Sequence, residues 1–370
     1  MLSGPSGGNM TGKVTIDDVA AHAGVSIKTV SRVVNREANV RENTREKVQA
    51  AIDALKYRPN QAARGLAGRR SFLMGVLYDN PSPSYLANLQ AGILAACSAA
   101  SYGLALSPVS HNTPDVVETI SAWIKHTNID GVILTPPLSD NIQVVMAVKA
   151  LGVPCVVVSS PGPGPGPAHV SAVVIDEEEA ARQMTLHLVN AGHTKIAFIK
   201  GHPDHYASAH RFAGFKAAMQ EAGLAVDGAM VKQGYFDFAS GKDAGEALLG
   251  AANRPTAVFA SNDDMAAGVM HVAHRLKLDI PAALAVVGFD DTPLSRQIWP
   301  SLTTIRQPIR LIGERAAGLL LAAIGGDRKL GEPTLQQLDF ELKARGSSVA
   351  EAQPISPAPT ERKGPSLRRL

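Results

Sequence analysis

The stretch "SIKTVSRVVN", residues 26–35, gathers hydrogen-bonding groups on a short segment that holds no acid. Lys28 and Arg32 stand four residues apart, so a helix puts both on one face, and either can donate to O6 and N7 of a guanine. Thr29, Ser31 and Asn35 suit phosphate oxygens, and Ser26 suits a helix cap. Val30, Val33 and Val34 fall at helical spacing and can face a core. One apolar side and one cationic, donor-rich side suit a helix that meets a polyanion. A small helical bundle with a solvated polar surface is the plainer alternative.

A second group of residues gathers where apolar runs end. "LYDNPSPSY" carries Asp79, Asn80, Ser82, Ser84 and Tyr85; "SNDD" carries Asn262 and Asp263; "GFDDT" carries Asp290. Arg211 lies in "AHRFAGF" and Phe236 in "GYFDFASG". Carboxylates and amides bind hydroxyls, and an aromatic face covers C–H bonds, so the set suits a sugar. Each member has a plainer role open to it. Asp263 and Asp264 can simply cap a helix, Arg211 can be a structural ion-pair partner, and Phe236 can be core. The set is more specific than any member.

Other patterns carry less. "GPSGG", residues 4–8, has the serine-elbow spacing without the strand and helix that strain the serine. "PGPGPGPAH", residues 161–169, alternates glycine with proline, which has no N–H to offer a phosphate. His202, His205 and His210 suggest a metal, but no Cys or second carboxylate pair completes a set, and a polar cleft loop is the expected reading. His271 and His274 read as helix surface. The pairs Asp263/Asp264 and Asp290/Asp291 are adjacent rather than opposed across a substrate, a weak acid–base signal. No enzyme activity, metal or cofactor is expected.

Three short helices must hold the first group. "TIDDVAAHAG" opens on Thr15 as N-cap, places Asp17 and Asp18 in the first turn, and ends at Gly24. Ile16, Val19, Ala20 and Ala23 make its apolar stripe. "ENTREKVQAAIDALKY" supplies a third helix with Val48, Ile52 and Leu55 facing inward. Ala20 where helices cross, Gly24 in the turn and Val30 packing back have helix-turn-helix spacing, in which the second helix enters the DNA major groove. After residue 71 the pattern changes. Continuous apolar runs such as "FLMGVLYD", "GVILTPP", "KIAFIKG" and "LAVVGFD" alternate with helical stretches such as 84–101 and 206–222. Buried parallel strands read this way, so the body is α/β and doubly wound. The series runs twice, with a break near residues 161–169. Ligands in such sheets bind beyond the C-terminal strand ends, where the second group lies.

From "VTIDDVAAHAGVSIKTVSRVVNREANVRENTREKVQAAIDALKYRPNQAARGLAGRRS" through about residue 345, the chain resembles LacI/GalR-type transcriptional regulators. The resemblance implies an all-α helix-turn-helix head and an α/β two-lobed, periplasmic-binding-protein-like core of doubly wound parallel sheets. It implies that Ile27, Lys28 and Arg32 read bases, Ile27 through a thymine methyl. It also implies a hinge helix in "NQAARGLAGRR", residues 60–70, paired with its twin from a second subunit in the minor groove. Asn60, Ala63 and Leu66 are then expected on the DNA, with Leu66 as the wedge. Gly65 costs a helix interior about 1 kcal/mol, which fits a segment that orders only on binding. A plain linker is the alternative. Arg211, Asn262 and Asp290 match the family's effector-binding positions, and Phe236 falls where members often place a stacking aromatic. The implied partners are a near-palindromic double-stranded operator, a small carbohydrate effector and a second copy of the chain.

Composition agrees with this outline. The 370 residues are 45% apolar and 19% charged, a globular balance, and too many for one core. Residues 1–70 hold 12 basic and 6 acidic side chains, a net +6, whereas the rest is net −3. A basic head on a mildly acidic body fits a polyanion partner. Cys97 and Cys155 sit in apolar runs and read as buried thiols in a reducing compartment. No apolar run is long enough to span a membrane, and "MLSGPSGGNMTGK" lacks a signal peptide's apolar core, so a cytoplasmic protein is expected. Met10 is an alternative start. The expected organisation is a disordered extension (1–12), a helix-turn-helix domain (13–58), a hinge (59–70), a core (71–345) and a disordered, Pro- and Ser-rich tail (346–370). Within the core, the first lobe is expected at about 71–168 and 305–330, and the second at about 169–302 and 331–345. No leucine heptads support a coiled coil.

Overall fold

The computed structural model describes residues 14–34, 39–57, 70–158, 170–326 and 333–349. Asn35, Asn60, Ala63 and Leu66, the hinge helix, the Gly-Pro loop, the N-terminal extension and the tail beyond 349 lie outside them. The chain divides into two units, residues 1–72 and 73–370.

The first unit holds α1 (Ile16–Ala23), α2 (Ile27–Val34) and α3 (Glu42–Ala54). Thr15 and Asp18 form a reciprocal cap on α1. Asp18 N–H donates to Thr15 Oγ1 (3.4 Å), and Thr15 N–H donates to Asp18 Oδ2 (2.8 Å). Gly24 ends α1 in the left-handed region at φ 64°, where a Cβ is strained. Val25 N–H then returns to Ala20 O (3.1 Å), closing the corner. Val19, Ala20, Val30, Val33, Val48 and Ala51 form the core of the three helices. The valine side of α2 therefore points inward.

The second unit opens with β1 (Leu73–Tyr78), α4 (Pro83–Ala99), β2 (Gly103–Pro108), α5 (Val116–Thr127), β3 (Gly131–Leu134), α6 (Ile142–Ala150), β4 (Cys155–Val158) and β5 (Ser171–Ile175). It continues through α7 (Glu177–Asn190), β6 (Ile196–Lys200), α8 (Tyr206–Glu221), β7 (Val231–Gln233), α9 (Phe238–Leu249), β8 (Ala257–Ala260), α10 (Asp263–Arg275) and β9 (Ala285–Asp290). It closes with α11 (Leu294–Gln297), β10 (Thr303–Arg306), α12 (Ile309–Gly325), β11 (Leu335–Leu338) and β12 (Glu341–Lys343). Two six-stranded sheets result, ordered β11-β5-β4-β3-β1-β2 and β12-β10-β9-β8-β6-β7. Every pairing is parallel except β10 with β12. The central strands are buried on both faces, as their unbroken apolar sequences require. Each sheet with its helices is one lobe.

The lobe boundaries differ from the sequence expectation. Residues 171–175 pair with β4, so the chain leaves the first lobe after residue 175 rather than at 169. Residues 303–306 pair with β9, so the return comes after 306. The 334–343 segment, expected wholly in the second lobe, forms two strands in different lobes. β11 joins the first sheet beside β5, and β12 joins the second beside β10. Hydrogen bonding to a neighbour decides sheet membership, and composition does not encode it. Three crossovers thus join the lobes. Cys97 is buried and Cys155 half-buried, and both are free thiols. No helix among the described residues is long and apolar enough to cross a membrane.

Candidate functional site

The head presents the outer face of α2. Ser26 Oγ accepts from Thr29 N–H (3.2 Å) and lies 2.9 Å from Thr29 Oγ1, so these two hydroxyls start the helix. Ile27 is 48% exposed although apolar, and Lys28 and Arg32 are exposed beside it. Ser31 is half-buried. Burying Val30 and Val33 leaves this donor-rich, acid-free side facing outward.

In the body, a cavity lies between the lobes. Asn80, Ser82 and Tyr85 line it from the first lobe, and Arg211, Phe236, Asn262 and Asp290 from the second. Seven of the ten residues of the second group therefore meet in one place, and Ser84 and Asp263 are not among them. Asp79 is also absent from the lining. Its carboxylate turns away to His111, accepting the backbone N–H at 2.8 Å and lying 2.6 Å from the ring Nδ1. The lining also contains Glu177 and Gln307, which the sequence reading did not single out, and His205, which it had read as part of a polar cleft loop.

Arg211 is buried and held on several sides. Its Nε–H donates to Glu177 Oε2 (2.7 Å), one Nη2–H to Glu177 Oε1 (3.3 Å) and one Nη1–H to Ser261 O (2.5 Å). This engages three of the five guanidinium donors and leaves two. The guanidinium also lies 3.7 Å from the Phe289 ring centroid. Burial works against its charge, but Glu177 and Asp290 overcome that and hold its pKa above the ordinary value. Arg211 is thus both the ion-pair partner and a cleft residue. Glu177 begins α7 immediately after β5, at the first crossover.

Asp290 ends β9 at φ 109°, and Asp291 follows at φ 52°. Two successive positive angles send the carboxylates to different places. Asp290 faces the cleft, 3.9 Å from Arg211 Nη2, and accepts from Gln307 Nε2–H at 2.6 Å. Burial pushes its pKa well above the ordinary carboxylate value, against the pull of Arg211. Asp291 instead meets Arg345 (2.5 Å), Arg306 (2.6 Å) and Arg296 (3.2 Å). Despite burial, those partners hold its pKa low. The adjacent acids are one cleft group and one structural group.

Phe236 also has a positive φ, 65°. Its ring fills the space over Gly201, where a Cβ would lie 1.9 Å from Cζ. Asn262 caps α10 by accepting from Met265 N–H (2.9 Å) and donates to Phe236 O (2.8 Å), so it fixes the strained residue in place. Asp263 and Asp264 divide as well. Asp263 accepts from Thr292 and Thr304, whereas Asp264 accepts from Ser82 Oγ–H across the cleft (2.8 Å). Burial lifts the Tyr85 phenol above its ordinary pKa and pushes His205 down to about 3, so both are neutral hydrogen-bonding groups. The lining offers one cation, two carboxyls, amides, a phenol and an aromatic ring around one space.

Residues 15–60 match the family model for bacterial regulatory proteins of the lacI family, and residues 185–348 match that for a periplasmic binding protein-like domain. Catabolite control protein A of Priestia megaterium is 35% identical over 340 residues, spanning 90% of this chain and 99% of that protein. The chain belongs to the LacI family. The transcriptional repressor PurR of Vibrio vulnificus (strain CMCP6) is 33% identical over 84% of this chain and 92% of its own. Among solved structures, a complex of the transcriptional regulator CelR with cellobiose shares 31% identity and a TM-score of 0.69, covering 90% of this chain and 99% of that one. A Lac repressor dimer bound to operator and the anti-inducer ONPF shares 29% identity and a TM-score of 0.73, covering 92% and 100%. This LacI-family chain is a DNA-binding transcriptional regulator, and its relatives are regulators rather than enzymes.

Proposed function

We propose that the protein is a cytoplasmic, homodimeric repressor that binds a near-palindromic operator and is controlled by a small carbohydrate or glycoside held between its lobes. The observation that carries the effector reading is the convergence of Arg211, Asp290, Asn80, Tyr85 and Phe236 on one interlobe cavity. Charged and amide groups arranged around a ring face match the alternating hydroxyls and C–H faces of a sugar. The CelR relative was solved with cellobiose and the Lac repressor as a dimer on operator, which supports the same classes of partner here. In this reading Lys28, Arg32 and Ile27 contact bases, and Ser26, Thr29, Ser31 and Asn35 contact phosphates. Asn60, Ala63 and Leu66 engage the minor groove. Relief of repression by the effector is the expected sense. Affinities for DNA and effector are then coupled reciprocally.

A thermal-shift screen of the full chain against mono- and disaccharides, glycosides and purines tests the effector class. A ligand at about 100 times its Kd adds roughly 2.7 kcal/mol to the stability of the body. A sugar hit lost in Arg211→Met supports the reading. A response to purines alone, or to no sugar, overturns the carbohydrate assignment.

A further inference from the structure

Outside the residues that line the cleft, His111 follows β2 in the first lobe and His202 and Asp204 follow β6 in the second. His111 Nε2 lies 3.1 Å from Asp204 Oδ2, and His202 Nδ1 lies 3.8 Å from the same oxygen. One candidate ligand atom from each residue falls within 4.8 Å of the other two. The two imidazoles meet edge to face, with centroids 5.1 Å apart. On its other nitrogen, His111 Nδ1 stands 2.6 Å from Asp79 Oδ2. His111 is therefore flanked by a carboxylate at each ring nitrogen. A neutral imidazole has one N–H and satisfies one of them, and its other nitrogen turns a lone pair toward the second.

We propose that His111, His202 and Asp204 form a binding site for a divalent metal of the zinc class that bridges the two lobes, with Asp79 orienting His111. Two imidazoles and a carboxylate are a zinc-type donor set. Bonds of about 2.0–2.1 Å in a tetrahedron set ligand atoms roughly 3.3 Å apart, and the observed 3.1 and 3.8 Å bracket that spacing. His202 Nδ1 accepts from Asp204 N–H at 3.2 Å, so it carries a lone pair, and a bound metal would take that lone pair in place of the backbone contact. Asp79 supplies the carboxylate behind the ligating imidazole that fixes its tautomer and raises its basicity. Asp204 is about half exposed, which leaves an entry path and room for water as a fourth ligand. The trio of His202, His205 and His210 does not assemble as its sequence proximity suggests. His205 turns into the cleft lining, and His111 from the opposite lobe takes its place. Because its ligands come from both lobes, bound metal favours the arrangement in which they touch.

Isothermal titration of zinc chloride into tag-free, chelator-treated full-length protein tests this without any effector. One zinc per chain is expected. His111→Gln and His202→Gln should each abolish stoichiometric binding. Asp79→Asn should weaken it tenfold to a hundredfold, and His126→Ala, at an exposed helix position, should leave it unchanged. Circular dichroism confirms that each variant is folded. Cobalt(II), titrated in parallel and followed by its visible absorption, reports nitrogen ligation in the native protein independently of the variants. Absence of saturable zinc binding, or binding that survives both histidine changes, overturns the site.

Discussion

Asp263 allows a prediction to be worked from the structure. It opens α10, is completely buried, and accepts hydrogen bonds from Thr304 Oγ1 (2.6 Å), Thr292 N–H (2.7 Å) and Thr292 Oγ1 (3.0 Å). Burial outweighs those bonds and pushes its pKa from 3.8 up to about 7. The folded state therefore holds the proton more tightly than the unfolded chain. The stability this provides is complete at low pH and is lost as pH rises from about 4 to about 7. Three pKa units at 1.36 kcal/mol each put the loss at no more than about 4 kcal/mol. In Asp263→Asn, the amide oxygen can accept from Thr292 and the NH2 can donate to Thr304, with no charge to bury. Urea unfolding of the body should show variant and parent nearly equal at pH 4. At pH 8 the variant should be the more stable by up to about 4 kcal/mol. Parallel stability curves, or a variant that is weaker at pH 8, would refute the reasoning.

Three other perturbations probe the two sites. His205, held neutral by burial with its pKa near 3, gives stability that is full above pH 6.5 and lost as pH falls below it. His205→Gln should remove about 2 kcal/mol of the parent's loss between pH 6.5 and 5, measured by the same unfolding series. Gly201→Ala puts a Cβ into the Phe236 ring and should weaken cleft ligands about tenfold by calorimetry, a change of about 1.4 kcal/mol. Arg32→Ala should cost roughly 1–3 kcal/mol of operator affinity and relax preference at one base position. Equal losses on operator and random DNA in a gel-shift titration would show that Arg32 touches only phosphate.

The parts of this molecule that a short window encodes were legible in the sequence. Ala20, Gly24 and Val30 fixed the bend between α1 and α2, and the valines of α2 settled which side faced out. Polar residues at strand ends pointed to the cleft, because the chemistry of parallel sheets concentrates there. Partners distant along the chain were not legible. Glu177 reads as one of three first-turn acids on α7, and only the fold sets it against Arg211. Gln307 reaches Asp290 because β10 pairs with β9 in a register that aligns Arg306 with Asp290. Asp79 looked like its neighbours Asn80 and Ser82, yet His111, 32 residues on, draws it away from the cleft.

The missed residues show how the cleft could communicate with the rest of the body. Glu177 sits where β5 passes to α7, and Gln307 where β10 passes to α12, so both mark crossovers between lobes. Both touch the buried Arg211–Asp290 group. Strain of about 1–3 kcal/mol per positive-φ residue persists only where the surroundings over-determine it. At Asp290 and Asp291 the surroundings are Gln307 on one side and Arg306 and Arg345 on the other. A ligand that takes hydrogen bonds from Arg211 or Asp290 competes with groups anchored at two of the three hinges. It can therefore shift the lobe arrangement only through a difference in those few contacts between arrangements. Effector specificity and hinge response are then set by overlapping residues, so changing Glu177 or Gln307 should alter the response to ligand even where neither touches it.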